Sequence, residues 1–592
     1  MKLLHIVQYK ERKGLDMNNQ KLDNLLNLAE DATEEERKKS QNLNVGFDEE
    51  TKRWELIVKY HGKIPSFRGK EITIVPLLGN YAVVTLPEEE LEAFSQNPQV
   101  EFIEKPKRLY FELFEARLAS CLSSIQNEET GLSGKGILIG VVDSGVDYRH
   151  PDFRREDGSS RIQELWDQSR NGNPPAGYVM GTEYTKEQID QALGMSEEEG
   201  KKLVPEVDYS GHGTSVLGIA AGNGRASGGV QRGIAYESEL FVVKLGIPRE
   251  NSFPRTTELI QGIDYLAREA IERNQPMVIN LSFGNNYGSH RGDALLETYI
   301  DMVSNMGRLV ICTGTGNNGT GNLHTEGSLA NRESQRISFG VSPYEPTLNM
   351  QLWKSYADQM EIFLEHPSGM RVGPFVEELG PQRFSLGATD LLIYYGKPGP
   401  YQISQEIYFD FLPKESYVDS GVWNLILQGK DVKEGTYELW LPGGNVLNPN
   451  TGFYFPQAAH TLTIPSTASR IISVGAYDSR NDSYADFSGR GGAFLPMQKP
   501  DLVAPGVEIL APVPGGSYGR VTGTSFAAPF VSGAAALLME WGIGKGNDPF
   551  LYGEKVKAYL RRGAKPLPGF TEYPNPMVGY GALCVRDSLP FD

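Results

Sequence analysis

Four stretches of this chain are apolar with little polar alternation: Gly136–Val142, Leu240–Leu245, Met277–Ser282 and Leu309–Thr313. A strand with one wet face alternates apolar and polar residues. A run that does not alternate buries both faces, as strands do at the centre of a parallel sheet. Parallel neighbours need a long crossover between them, usually a helix, and Thr257–Arg273 carries apolar residues at helical spacing. The pattern is βαβ and predicts an α/β fold with a doubly wound parallel sheet and right-handed crossovers. The same texture returns at Arg470–Ala476, and Phe526–Trp541 reads as a small-residue, apolar, buried helix.

The rest of the 592 residues do not fit that sheet. At roughly 100–200 residues per domain, two to four domains are expected. Residues 1–50 are polar and helix-prone, with the charged block Glu34–Lys39, and predict a peripheral helix or a loose tail. Trp54–Tyr60, Glu71–Val75, Asn80–Leu86 and Val100–Ile103 read as strands, and Pro87 followed by three glutamates opens a short helix. Together they make a small α+β unit. From about 335 to 460 no helical pattern occurs. Leu348–Trp353, Met360–Leu364, Asp390–Tyr395, Glu406–Phe411, Trp423–Leu427 and Thr436–Leu441 are strand-like, with Gly, Pro and Asp turns between them. That predicts an inserted all-β, jelly-roll-like sandwich. Its aromatics Tyr394, Tyr395, Tyr408, Phe409 and Trp440 read as core, with the sandwich packed on the α/β domain. The expected divisions are 1–111, 112–334, 335–460 and 461–592.

Charge and composition exclude several classes. The net charge of −18, from 57 basic and 75 acidic residues, argues against nucleic-acid and anionic-membrane partners. No phosphate-cradling loop is present. The apolar stretch at the N-terminus is too short for a signal-peptide core, and no run of about 18 apolar residues predicts a spanning helix. Cys121, Cys312 and Cys584 are too few and scattered for a disulfide framework or a metal site, and Cys312 reads as a small buried hydrophobe. No metal and no cofactor is expected.

Three motifs carry chemistry together. In Val141-Val-Asp-Ser-Gly-Val-Asp147 an acid ends a buried strand, at the sheet edge where α/β sites form. In Ser210-Gly-His-Gly-Thr-Ser215 a histidine lies between two glycines ahead of a small apolar helix. In Gly523-Thr-Ser-Phe-Ala-Ala-Pro529 a serine opens the buried helix, whose free N–H groups favour negative charge. Taken singly, each has a plainer reading: a turn-capping Asp, an exposed or capping His, a Ser/Thr helix cap. As a set they supply a nucleophile, the base it needs and the acid that orients the base.

The order Asp143, His212, Ser525, within DSG, GHGT and GTSFAAP, resembles the subtilisin-like serine proteases. The resemblance implies that these three residues form a catalytic triad. It implies that Asn317, in Gly316-Asn-Asn-Gly319, donates to the oxyanion beside the backbone N–H of Ser525. Substrate-binding roles carry over to Ser282, Phe283, Gly284 and Gly316, and Phe253 would line a more distant subsite. An extended peptide would bind there by main-chain pairing. The α+β unit resembles a subtilase propeptide, which implies a self-processing zymogen inhibited by its own propeptide, with cleavage near Phe111–Glu112. The inserted sandwich resembles the Csp-type proteases of spore-forming anaerobes, which act in germination by cutting another zymogen. That implies a protein substrate and a bacterial cytoplasmic or spore location. A regulatory protein held inactive by its propeptide, and a carbohydrate-binding sandwich, are the competing readings.

Overall fold

The computed structural model describes residues 20–40, 42–62, 72–107, 110–111, 120–121, 126, 131–246, 253–443, 446–492 and 497–590. The chain divides into two compact units. One comprises Met1–Arg108, Asn285–Leu295 and Thr320–Ala458; the other comprises Leu109–Gly284, Leu296–Gly319 and Ala459–Asp592.

The second unit holds a nine-stranded sheet. Its parallel strands lie in the order Leu502–Pro505, Ile472–Asp478, Leu309–Gly314, Met277–Leu281, Leu138–Asp143, Glu239–Lys244, Ile162–Asp167. The chain enters at Leu138–Asp143, in the middle, builds one side, then returns at Met277 to build the other. The order therefore reverses beside Asp143, which is where a doubly wound sheet opens a crevice at its strand ends. Ile139 and Val141 pack with the helices His212–Ala221 and Thr524–Met539. Val142 meets Gly262, on the helix Thr256–Glu272. Both faces are thus covered, as the unalternating sequence requires. Every residue of Thr524–Met539 is buried. By length and composition Thr524–Gly544 would pass for a membrane span, but 89% of that window lies inside the fold.

Two cysteines depart from the expectation of scattered thiols. Cys121 and Cys584 form a disulfide, with Cα atoms 5.0 Å apart. Their separation of 463 residues hides the pairing from any local pattern. Cys312 is buried, and burial pushes its thiol up to about 12.

The first unit combines two substructures. Its N-terminal part is an antiparallel sheet of Phe47–Asp48, Arg53–Tyr60, Thr73–Leu77, Tyr81–Pro87 and Val100–Glu104. Of the two alternatives for the N-terminal segment, a peripheral helix or a loose tail, the described part forms helices Asn24–Asp31 and Glu34–Lys39, capped by Asp23 and Thr33. Leu25, Leu26 and Leu28 anchor the first helix in the core. The sandwich stacks a six-stranded sheet on a five-stranded one. It begins at the strand His324–Ser328, ahead of the expected 335. Phe409, Phe411, Trp423 and Tyr395 fill the space between its sheets. The aromatics divide, however. Leu392, Tyr394 and Tyr408 point the other way and share a core with Trp54, Phe94 and Leu26 of the N-terminal part. The sandwich's second face is therefore packed on the N-terminal part.

Candidate active site

Asp143 is the last residue of its strand, and its side chain is fully buried. Its Oδ1 accepts from the Ser144 N–H at 2.7 Å and from His212 Nδ1–H at 2.7 Å. That bond fixes the imidazole tautomer with Nε2 as the basic nitrogen and stabilises the imidazolium formed on protonation. His212 opens the helix His212–Ala221. Gly213 lets this helix end approach the strand: a Cβ there would stand 2.2 Å from the Gly145 carbonyl oxygen.

Asp208, which the sequence reading passed over, organises the approach. Its carboxylate accepts from Ser144 Oγ at 2.7 Å, from the N–H groups of Gly211 and Thr214 at 3.0 and 2.9 Å, and from Thr214 Oγ1 at 2.7 Å. Ser144 Oγ in turn accepts from the Gly213 N–H at 2.9 Å. One buried acid thus ties the loop after Asp143 to the loop before His212. An Asp just ahead of a helix start was the signal that could have found it.

Ser525 is the second residue of its helix. His212 lies beside that end, with its ring centroid 5.0 Å from that of Phe526. Pro529 stands four residues on and has no N–H to give the Ser525 carbonyl. Ser282 supplies the missing donor: its Oγ donates to that carbonyl at 3.0 Å and accepts from Asn280 Nδ2 at 2.9 Å. Asn280 is held by Ser532 Oγ at 2.8 Å. In return Ser525 Oγ donates a long 3.4 Å bond to the Ser282 carbonyl. The nucleophile's end of the helix is thereby fastened to the strand end Ser282–Gly284.

Asn317 follows the strand Leu309–Gly314. Its Oδ1 accepts from the Thr524 N–H at 2.9 Å and from Thr524 Oγ1 at 3.2 Å. With the carbonyl side engaged, the amide's N–H₂ is the side left to face an oxyanion. Thr524 Oγ1 also accepts from the Gly316 N–H at 3.0 Å. Gly284 and Gly316 both lie against Thr463, where a Cβ on either would approach within 2.4 or 2.5 Å. Phe253 is partly exposed, and residues 249–252 of the expected outer edge lie outside the described residues. The Tyr110–Phe111 backbone pairs antiparallel with Phe283–Gly284. Glu112, the other expected cleavage residue, lies outside the described residues.

A family model for the subtilases matches residues 134–344 and 443–581. The chain belongs to the subtilase family. Residues 20–107 match the Csp protease B prodomain, so this is a subtilase of the Csp type. The CspB protease of Clostridium perfringens is similar in structure, 35% identical, with a TM-score of 0.73 over 79% of this chain and 95% of that one. The minor extracellular protease Vpr of Bacillus subtilis is 24% identical over 483 residues, covering 78% of this chain and 52% of Vpr. The major intracellular serine protease of Bacillus subtilis is 30% identical over 196 residues, covering 33% of this chain and 47% of that protein. The chain thus spans about half the length of such curated relatives. The stretch 345–442, between the two parts of the subtilase match, lies within the sandwich.

Among the described residues, one group offers metal-type donors: His324, Glu326 and Glu438 of the sandwich, with atoms within 4.8 Å of one another. Arg291 already pairs with Glu438 at 2.9 Å. That guanidinium supplies positive charge where a cation would sit.

Proposed function

We propose that this subtilase is a serine endopeptidase made as a self-processing zymogen. The observation that carries the reading is the buried Asp143–His212 bond beside a serine whose helix end is fastened to a strand that already pairs with the propeptide tail. Ser525 Oγ attacks the peptide carbonyl carbon while His212 Nε2 takes its proton. The oxyanion is met by the Asn317 amide and the Ser525 N–H. His212 then protonates the leaving nitrogen, the peptide bond breaks and an ester to Ser525 remains. Water, deprotonated by His212, hydrolyses that ester and restores the serine. The test is hydrolysis of a protein substrate such as casein by wild type and Ser525→Ala. Loss of the nucleophile cost about 10⁶ in turnover in subtilisin, and a comparable loss is expected. Equal hydrolysis by both proteins would refute the reading.

The propeptide stays on as an inhibitor after the cut in this reading. Support comes from the core that the N-terminal part shares with Leu392, Tyr394 and Tyr408 of the sandwich, which a cut after residue 110 leaves intact. Co-elution of both fragments on gel filtration is the expected result; separate elution would contradict it. The substrate that fits a Csp-type subtilase is another zymogen of spore germination, in the bacterial cytoplasm or spore. Cleavage of such a zymogen by the purified protein tests that assignment.

A further inference from the structure

The disulfide between Cys121 and Cys584 is asymmetric. Cys584 is fully buried, whereas Cys121 is half-buried. Beside Cys121 stands Lys565, whose Nζ donates to the Cys121 Sγ at 3.1 Å. The backbone holds Lys565 in that place. Its N–H donates to the Ala582 carbonyl at 2.8 Å, and the Ala582 N–H donates back to the Lys565 carbonyl at 2.7 Å. Ala582 lies two residues before Cys584, and between them the Leu583 N–H donates to the Val503 carbonyl at 2.8 Å. The ammonium and the buried sulfur are thus carried on one edge, fastened to the strand Leu502–Pro505. On its other side the ammonium meets Asp587, whose Oδ2 is 3.5 Å away.

A disulfide that only braces a fold needs no charge beside its sulfurs. A cation matters when the bond is open: it favours the thiolate of a neighbouring cysteine, and the thiolate is the form that reacts. Lys565 is half exposed, so solvent screens its effect to a modest one. The two cysteines divide the chemistry. Cys121 has the cation and the solvent access that an attack on a small oxidant requires. Cys584 is shielded, but its Cα is 5.0 Å from that of Cys121, within the range from which a disulfide closes. An accessible, activated thiolate next to a second cysteine is the layout of a redox-responsive pair. Cys312, the third cysteine, is buried and free, and has no part in it.

We propose that Cys121 is a peroxide-reactive cysteine, activated by Lys565 and resolved by Cys584, so that oxidation clamps together two points of this unit 463 residues apart. In the first step the Cys121 thiolate attacks an oxygen of a hydroperoxide. The O–O bond breaks, the sulfur becomes a sulfenic acid, and the departing alkoxide or hydroxide takes a proton from water. In the second step the Cys584 thiol sulfur attacks the sulfenic sulfur. The S–S bond forms, the S–O bond breaks, and the hydroxyl leaves as water with the thiol proton. Two thiols are oxidised by two electrons in all, and one hydroperoxide is reduced to an alcohol or water.

The experiment uses the full chain, reduced with dithiothreitol, freed of it without air and treated with hydrogen peroxide in the presence of dimedone, which traps sulfenic acids. Peptide masses are expected to show the Cys121–Cys584 disulfide in the wild type, dimedone on Cys121 in Cys584→Ser, and no dimedone on Cys584 in Cys121→Ser. Dimedone on Cys584 but not on Cys121 would overturn the assignment of roles, and a wild type whose two thiols survive peroxide would overturn the site. Lys565→Gln should slow disulfide formation about fourfold at pH 7, a roughly tenfold fall in thiolate being partly offset by the stronger nucleophilicity of a more basic sulfur. Lys565→Arg should restore the rate. An unchanged rate in Lys565→Gln would remove Lys565 from its role. The oxidised protein should unfold at a higher denaturant concentration than the reduced one; equal midpoints would overturn the clamp.

Discussion

The strands Leu138–Asp143 and Ser404–Pro413 are both buried along their whole length, but for different reasons. Helices cover the first on both faces, so it is apolar throughout except for the acid at its end. The second alternates. Ile407, Phe409 and Phe411 enter the core between the sandwich sheets, while Glu406, Tyr408 and Asp410 face the N-terminal part. There Glu406 accepts from Asn24 Nδ2 at 3.0 Å, the Tyr408 hydroxyl accepts from Asn42 Nδ2 at 3.0 Å, and Ser40 Oγ donates to Asp410. A strand buried by its own domain keeps ionisable groups for its end, where they can do chemistry. A strand buried by a neighbouring domain carries them along its length, where each must find a partner.

That contrast can be broken from either side. Asp143→Asn leaves the shape but reverses the tautomer of His212. Turnover should fall about 10⁴, the loss known for the corresponding Asp of other triads, with the melting temperature nearly unchanged. A loss under tenfold would remove Asp143 from its role. Asn317→Ala should fold normally and lose about 10²–10³ in turnover, the cost of the same donor in subtilisin; full turnover would exclude it from the oxyanion hole. On the other side, Leu392→Ala should cost about 2–5 kcal/mol in denaturant unfolding of the first unit. The turnover of the processed enzyme should not change. Reduced turnover at unchanged stability would contradict the separation of the two roles.

The acids between the N-terminal part and the sandwich set a pH dependence. Burial raises Asp23 to about 6, Glu406 to about 7 and Asp410 to about 7. Lys107 and Lys105 oppose the rise, and Glu104 adds to it at Asp23 and Glu406. These carboxyls hold protons in the folded state that the unfolded chain has already lost. Stability should therefore fall as pH rises from about 4 towards about 7, and then level off. Melting temperatures taken at intervals of pH check this. Glu406→Gln should flatten the slope, and an unchanged slope would show that Glu406 does not contribute.

The parallel strands could be read from the sequence because their burial is local. Leu309–Gly314 and Met277–Leu281 are apolar whoever their neighbours are. Asp143, His212 and Ser525 could be located because their three motifs make sense only as a set, and Asn317 because its Gly-Asn-x-Gly motif resembles that of the subtilases; singly, each reads as a cap or a turn. Asp208 went unread because its work is done through Ser144, 64 residues away. Cys121 and Cys584 went unpaired in the sequence because 463 residues separate them. The sequence left the segment of helix Asn24–Asp31 open between a peripheral helix and a tail, because its short apolar face has meaning only against Trp54 and Phe94.

Whether Asp143, His212 and Ser525 form a working serine-protease site is decided by the intact mass of freshly purified wild type beside Ser525→Ala. Two fragments from the wild type and one whole chain from the variant is the predicted result. The same fragments from both proteins would mean that another protease makes the cut, and would contradict the claim.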